Sequence, residues 1–286
     1  MFKLKRISYP IRDLFGSILS LGIPPDFLII GAQKSGTSYI ATQLRMNKMI
    51  VMANRMVRVK GGWGKIGEPH FFTDNYAKGI KWYLSRFHLT FDQRYMFRNG
   101  EKLLLGDKSP SYLRDSSAPK RLKEHFPGVK LIVVLRDPVD RAYSQYHMDL
   151  DYGLKEYVSF EDLIDEQIND WKMSKDNFDN YPDLIETNIG RGIYCYQIEN
   201  WMKYFKPNQF LVLNAQEMIK NPQDIMNRIG TFLGIGELRI KQKVINSRAY
   251  PAMNVKTKRR LKEFYEPYNQ RLYKFLGRDF GWNNSN

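Results

Sequence analysis

Cysteine is nearly missing from this sequence, and so is any long apolar run. One cysteine, Cys195, stands among 286 residues. No disulfide can form within the chain, which excludes a disulfide-stapled secreted scaffold and suits a reducing compartment. The best candidate for a membrane span, residues 14–30, is broken by Pro24 and Pro25 and interrupted by Asp26, short of the roughly 18 to 20 clean apolar residues a span needs. Lys3, Lys5 and Arg6 are followed by Arg12 and Asp13, so no uninterrupted signal-peptide core appears. A cytoplasmic protein is the expectation. No His, Cys, Asp and Glu cluster has metal-ligand spacing, and no metal is expected. Repeats and low-complexity tracts are also missing, and 13 prolines and 20 glycines without a period exclude a collagen-like chain.

Hydrophobic residues make up 43% of the chain and aromatics 14%, enough for one large core. The net charge is +15. It is unevenly spread: Asp149 to Glu186 holds 12 acidic and 3 basic residues, leaving +24 on the remainder. Such a field draws polyanions, nucleotides or an acidic surface, although a basic surface kept for solubility has the same composition. A nucleic-acid binder is one reading, with the Lys256–Lys262 cluster as its candidate contact; the solvated face of an amphipathic helix is the plainer account of that cluster.

Short apolar runs bounded by turn residues predict buried strands at 27–30, 103–106, 130–135 and 209–214. Helical stripes lie between and after them. Ile193, Tyr194, Ile198, Trp201, Met202 and Phe205 share one face. Asn221 and Pro222 open a helix that ends near Gly234. A long helix over 256–276 turns Leu261, Phe264, Tyr265, Leu272 and Phe275 inward. Alternating strands and helices predict a single α/β domain, a central parallel sheet flanked by helices. It is expected to span 25–286 after a basic extension over 1–24, with the acidic stretch 149–187 as a helical insertion at the surface.

Three motifs carry chemistry. The first strand runs into Gly31-Ala32-Gln33-Lys34-Ser35-Gly36-Thr37-Ser38 and then a helix. Strand, glycine loop and helix N-terminus present backbone N–H groups to an anion. A nucleotide-kinase loop needs lysine directly after the second glycine; here Thr37 follows Gly36 and the lysine is Lys34. That counts against the alternative of a P-loop nucleotide or small-molecule kinase. The second motif is Arg136 at the end of a strand, with Ser144 two helical turns further on. A guanidinium and a hydroxyl at a sheet's carboxyl edge suit a phosphate, while a surface pair of Arg136 with Asp140 is the alternative. The third is Glu68-Pro69-His70-Phe71-Phe72. Pro69 holds Glu68 extended, and the neighbouring aromatics are expected to desolvate the carboxylate and raise its pKa, as suits a general base. His70, which titrates near neutrality, is the competing base, or else a packed histidine. Lys108, in Gly106-Asp107-Lys108-Ser109-Pro110-Ser111-Tyr112, is either an electrostatic catalyst or a solvated lysine.

Together these motifs resemble the sulfotransferases that use 3′-phosphoadenosine 5′-phosphosulfate (PAPS), in particular the heparan sulfate N- and 3-O-sulfotransferases. The resemblance runs from about Pro25 to Trp282. It implies the nucleotide-kinase-like fold of that family, with PAPS as donor, adenosine 3′,5′-bisphosphate (PAP) as product and no metal. The acceptor it implies is a hydroxyl (or amine) on a glycan or other partner, anionic by the charge argument, with Arg55, Arg58, Lys60 and Lys65 before Glu68 as a basic approach. Residues Lys34, Ser35, Gly36, Thr37 and Ser38 would hold the phosphosulfate, and Arg136 and Ser144 the 3′-phosphate. Glu68 would act as base, and Lys34 and Lys108 would meet charge on the leaving group. Ser247, Arg248 and Tyr250 resemble the loop over residues 246–251 that closes on PAPS in the family. Here Asn246 and Ser247 replace the family's lysine and glycine, and its disulfide-closed hairpin has no cysteines to form it.

Overall fold

A computed structural model describes residues 22–53, 55–59, 62–153, 159–174, 182–241 and 250–282. The fold is built on five strands: β1 (Phe27–Gly31), β2 (Ile50–Met52), β5 (Leu104–Lys108), β6 (Lys130–Leu135) and β7 (Phe210–Asn214). They form one sheet in the order β2-β5-β1-β6-β7, parallel throughout. A separate antiparallel hairpin, β3 (Arg55–Val59) and β4 (Gly62–Ile66), rises between β2 and the Glu68 segment.

The strands read as continuous apolar runs because both faces of the sheet are covered. Alternate residues serve opposite cores. Leu28, Ile30, Val51, Leu105, Leu131, Val133 and Leu135 join the larger one. Phe27, Ile29, Ile50, Met52, Leu104, Ile132, Val134 and Leu213 join the other. Helices α1 (Thr37–Arg45), α8 (Ala215–Lys220) and α9 (Pro222–Leu233) cover the second face. Helices α5 (Pro138–Asp151), α6 (Phe160–Ser174), α7 (Tyr194–Met202) and α10 (Val255–Leu276) cover the first. Three shorter helices, α2 (Gly79–Leu84), α3 (Phe91–Arg98) and α4 (Ala118–His125), complete the connections.

The acidic stretch contains α6, but this helix does not stand off at the surface. Phe160, Ile164, Ile168 and Trp171 are all buried in the main core, and only the opposite face carries the carboxylates. An amphipathic stripe accounts for both properties. The four expected strands are present; β2, only three residues long, was too short to show a pattern. In α10 the inward stripe holds at Leu261, Tyr265 and Leu272, but Phe275 is 45% exposed, so the expectation that it turns inward is not met. Cys195 is fully buried, and burial pushes its thiol pKa up to about 12, as fits packing and not nucleophilic chemistry. Among the described residues no helix is long and apolar enough to cross a membrane.

Chain order positions the functional edge. The chain leaves β5 on one side of β1 and returns as β6 on the other. The carboxyl ends of these three strands therefore open a crevice where open α/β sheets bind ligands. Trp201 anchors α7 beneath it: the ring is fully buried, and Nε1 donates to the Leu113 carbonyl at 3.0 Å. Trp201→Ala removes the ring and orphans that carbonyl, so unfolding in urea should show a loss of about 3–5 kcal/mol.

Candidate active site

Three strand ends and one loop bring the sequence motifs together. β1 is buried along its whole length and ends at Gly31. The loop that follows is tied to the neighbouring strand by Ala32 N–H, which donates to Val134 O at 2.7 Å. Lys34 has φ +66° and Gly36 φ +89°, so the backbone turns back on itself twice before α1. Gly36 is the N-cap of α1 and supplies no side-chain cap, which leaves the first N–H groups of the helix to an incoming anion. Ser35 is 1% exposed, and its hydroxyl lies beside Tyr194 without a well-formed hydrogen bond. A buried orphan hydroxyl of this kind fits an oxyanion partner.

Arg136, at the end of β6, reaches over this loop and donates from Nη1 to Lys34 O at 3.3 Å. Its Nη2 also lies 3.8 Å from Asp140, so the expected surface pair exists alongside the loop contact. The Arg136 carbonyl accepts from Tyr194 OH at 3.0 Å. Ser144 is 5% exposed, with its Oγ 3.5 Å from Tyr250 OH. Tyr250 is held there by the His147 ring, which stacks on it at 4.3 Å and 10°. Ser247 and Arg248 lie outside the described residues.

Glu68 and Lys108 meet on the other side of the loop. Lys108 ends β5 at 5% exposure. Its ammonium donates to Glu68 Oε1 and, at 3.2 Å, to Ser38 Oγ. The solvated-lysine reading is thereby excluded. His70 lies 3.1 Å by Nε2 from Glu68 Oε2 and 2.7 Å by Nδ1 from Ser111 Oγ. Its backbone N–H donates to Ser109 Oγ, and its φ is +49°. His70 is thus a clamp on the carboxylate, held at both ring nitrogens.

The expected rise in the Glu68 pKa is overturned. Burial does push it up, but the His70 hydrogen bond and the Lys108 charge outweigh burial and bring it down to about 2. The flanking aromatics do not cover the carboxylate. Phe71 and Phe72 are fully buried in the core, where Phe71 stacks on Tyr83 at 4.8 Å.

Two groups escaped the sequence reading. Asp107, inside β5, is completely buried and accepts from Tyr83 OH, Tyr112 OH and Ser109 Oγ at 2.9–3.1 Å. Burial, partly offset by those donors, raises its pKa to about 6. The available signal was an acidic residue within an apolar strand, which requires buried donors to satisfy it. The second group is a basic cluster on Gln33, whose Oε1 accepts from Arg114 at 3.2 Å and Arg191 at 3.3 Å. Both arginines also pair with Glu186. These partners lie 81 and 158 residues from Gln33, so no local spacing could have joined them. Among the described residues no group of His, Cys, Asp and Glu is arranged to hold a metal.

A profile of the sulfotransferase domain matches residues 24–266. The chain is 28% identical over 298 residues to heparan sulfate glucosamine 3-O-sulfotransferase 3B1 of Homo sapiens, covering 96% of this chain and 68% of that protein. It is 29% identical over 283 residues to heparan sulfate glucosamine 3-O-sulfotransferase 3A1 of Homo sapiens, covering 90% and 62%. The chain thus spans a little under two thirds of the second relative's length. The crystal structure of a sulfotransferase from Alicyclobacillus acidocaldarius superposes with a TM-score of 0.65 at 23% identity, covering 91% of this chain and 99% of that one. That likeness extends to the fold.

Carboxylate titration by NMR should place the Glu68 midpoint near 2. Because the folded pKa lies below the unfolded value of about 4.3, the pairing stabilises the protein fully above that value and the stabilisation is lost as pH falls toward 2. Lys108→Met should raise the Glu68 midpoint by at least about one unit. An unchanged midpoint would show that the ammonium does not set it.

Proposed function

Because the chain belongs to the sulfotransferase family, we propose that it transfers a sulfuryl group from PAPS to a hydroxyl of an anionic glycan. The observation that carries this reading is the Lys108 ammonium, shared by Ser38 of the anion loop and Glu68. One cation therefore touches both the place where a donor phosphate would sit and the group that would take the acceptor's proton.

The residues present suit the donor. The uncapped N-terminus of α1, the orphan Ser35 hydroxyl and Lys34 suit the phosphosulfate. Arg136, reaching over the anion loop, and Ser144, with Tyr250 beside it, are the residues that would hold the 3′-phosphate. When bound, PAPS supplies an activated sulfuryl group on a phosphate leaving group. Glu68 would accept the proton of the acceptor hydroxyl as that oxygen attacks sulfur and the phosphate leaves. Lys34 and Lys108 neutralise the charge left on the departing bisphosphate, so positioning and electrostatics do most of the catalysis.

With a pKa of about 2, Glu68 is a weak base while Lys108 holds it. A phosphosulfate held by the loop would compete for that ammonium, and a weaker Lys108–Glu68 pairing would raise the basicity of Glu68. His70 keeps the carboxylate aimed during the exchange. The glycan part of the reading is supported by the relatives named above, which are heparan sulfate glucosamine sulfotransferases, and by the net charge of +15. A kinase reading lacks the lysine after Gly36.

Thermal-shift titration with adenosine 3′,5′-bisphosphate, beside ATP with Mg²⁺ and AMP, tests the donor. At 100 times its dissociation constant a specific ligand adds about 2.7 kcal/mol. Stabilisation by the bisphosphate alone, lost in Arg136→Ala, is expected; stabilisation by ATP with Mg²⁺ instead would replace this reading with the kinase. Glu68→Gln should keep bisphosphate binding and lower kcat by about 10²–10⁴-fold. Unaltered kcat would remove Glu68 from the base role.

A further inference from the structure

A carboxylate inside a buried strand needs donors, and the donors that Asp107 has found lead out of the core to Glu68. Asp107, Ser109, Tyr83 and Tyr112 are all fully buried. Ser109 Oγ donates to Asp107 Oδ1 at 3.0 Å, while Tyr112 OH and Tyr83 OH donate to Oδ2 at 2.9 and 3.1 Å. Burial raises the Asp107 pKa only to about 6, so at neutral pH the group is a carboxylate and can only accept.

A hydroxyl has one proton to give, and its remaining capacity is to accept. Ser109 and Tyr112, having given theirs to Asp107, turn lone pairs toward the neighbouring segment. Ser109 Oγ accepts from His70 N–H at 3.0 Å, and Tyr112 OH accepts from Phe71 N–H at 2.8 Å. One carboxylate thus orients the acceptors of two consecutive backbone donors, 39 and 41 residues away along the chain. Tyr83 differs: it donates to the same carboxylate but meets this segment through ring contacts with Phe71 and Phe72.

The segment needs such a hold. His70 has a Cβ, yet its φ is +49°, a backbone state that costs energy and persists only where its surroundings impose it. Its carbonyl is fastened locally, by Asn75 N–H at 3.0 Å and Thr73 Oγ1 at 3.3 Å. Its N–H is fastened through Ser109 to the core. The ring that this backbone aims lies 3.1 Å by Nε2 from Glu68 Oε2.

We propose that Asp107 is a positioning residue for the reaction: through Ser109 and Tyr112 it fixes the backbone at His70 and Phe71, and thereby the His70 clamp on the Glu68 carboxylate. This rests on the reading of Glu68 as the base and adds to it a buried group that acts from within the core.

Ser109→Ala and Tyr112→Phe each break one relay and leave the Asp107 carboxyl in place. With PAPS and an N-sulfated glucuronic acid–glucosamine oligosaccharide, each should lower kcat about ten-fold, as loss of one well-placed hydrogen bond implies. KM for PAPS should stay within about two-fold. Carboxylate titration by NMR should show the Glu68 midpoint raised by about half a unit or more in both, because a loosened His70 no longer holds it down. Tyr83→Phe is the control. It takes a donor from the same carboxyl and keeps the ring, so it should lower the melting temperature as Tyr112→Phe does while kcat stays within about two-fold and the Glu68 midpoint stays in place. An unmoved Glu68 midpoint or an unaltered kcat in Ser109→Ala overturns the proposal and leaves sulfuryl transfer standing. Losses of kcat in Tyr83→Phe as large as those in Tyr112→Phe overturn it too, since they would mark a general loss of stability. A raised midpoint in protein that the bisphosphate does not stabilise would support the positioning and overturn the sulfotransferase reading.

Discussion

The Lys108 ammonium, 5% exposed and shared between Ser38 and Glu68, is the contact on which the site turns. A cation so placed is tolerated only with its charge answered and its donors used. Glu68 answers the charge, and the Glu68 segment is consequently drawn down onto the end of β5. His70 then locks the carboxylate from the other side through Ser111. Glu68, the helix after the anion loop and the end of β5 are thus joined by a few polar contacts.

Beneath that layer lies a second one. Asp107 faces the opposite side of β5 from Lys108, as alternation along a strand requires, and it collects three hydroxyl donors from Tyr83, Tyr112 and Ser109. Ser109 also accepts from His70 N–H, and Tyr112 OH accepts from Phe71 N–H. The buried carboxyl therefore holds the backbone on which His70 sits at an otherwise unfavourable positive φ. The placement of Glu68 and His70 on the crevice side is supported by a satisfied polar network on the core side.

Much of this was legible in the chain. Four of the five sheet strands are apolar runs with clear turn boundaries, and α7, α9 and α10 have clean stripes. Lys34, Glu68, Lys108, Arg136 and Ser144 were identified from local pattern and resemblance, and the structure brings them to one edge of the sheet. What failed were statements about environment. The aromatics next to Glu68 in sequence are not its neighbours in space, so its pKa moves in the direction opposite to the one they implied. Within the acidic stretch, α6 carries its carboxylates on one face, and a net count of −9 concealed the face that enters the core.

The sequence by itself determined the fold class, the anion loop and the chemical type of each candidate group, because strand runs, a glycine turn before a helix and the order of polar residues are local properties. Tertiary structure alone decided which groups share a proton, a charge or a space. Lys108 reaches Glu68 across 40 residues, Gln33 gathers Arg114 and Arg191 across many more, and Arg45 comes to rest against Gly67. Electrostatic interactions fall with distance through space and take no account of separation along the chain. Ionisation and pairing therefore became readable only once the sheet had set those distances.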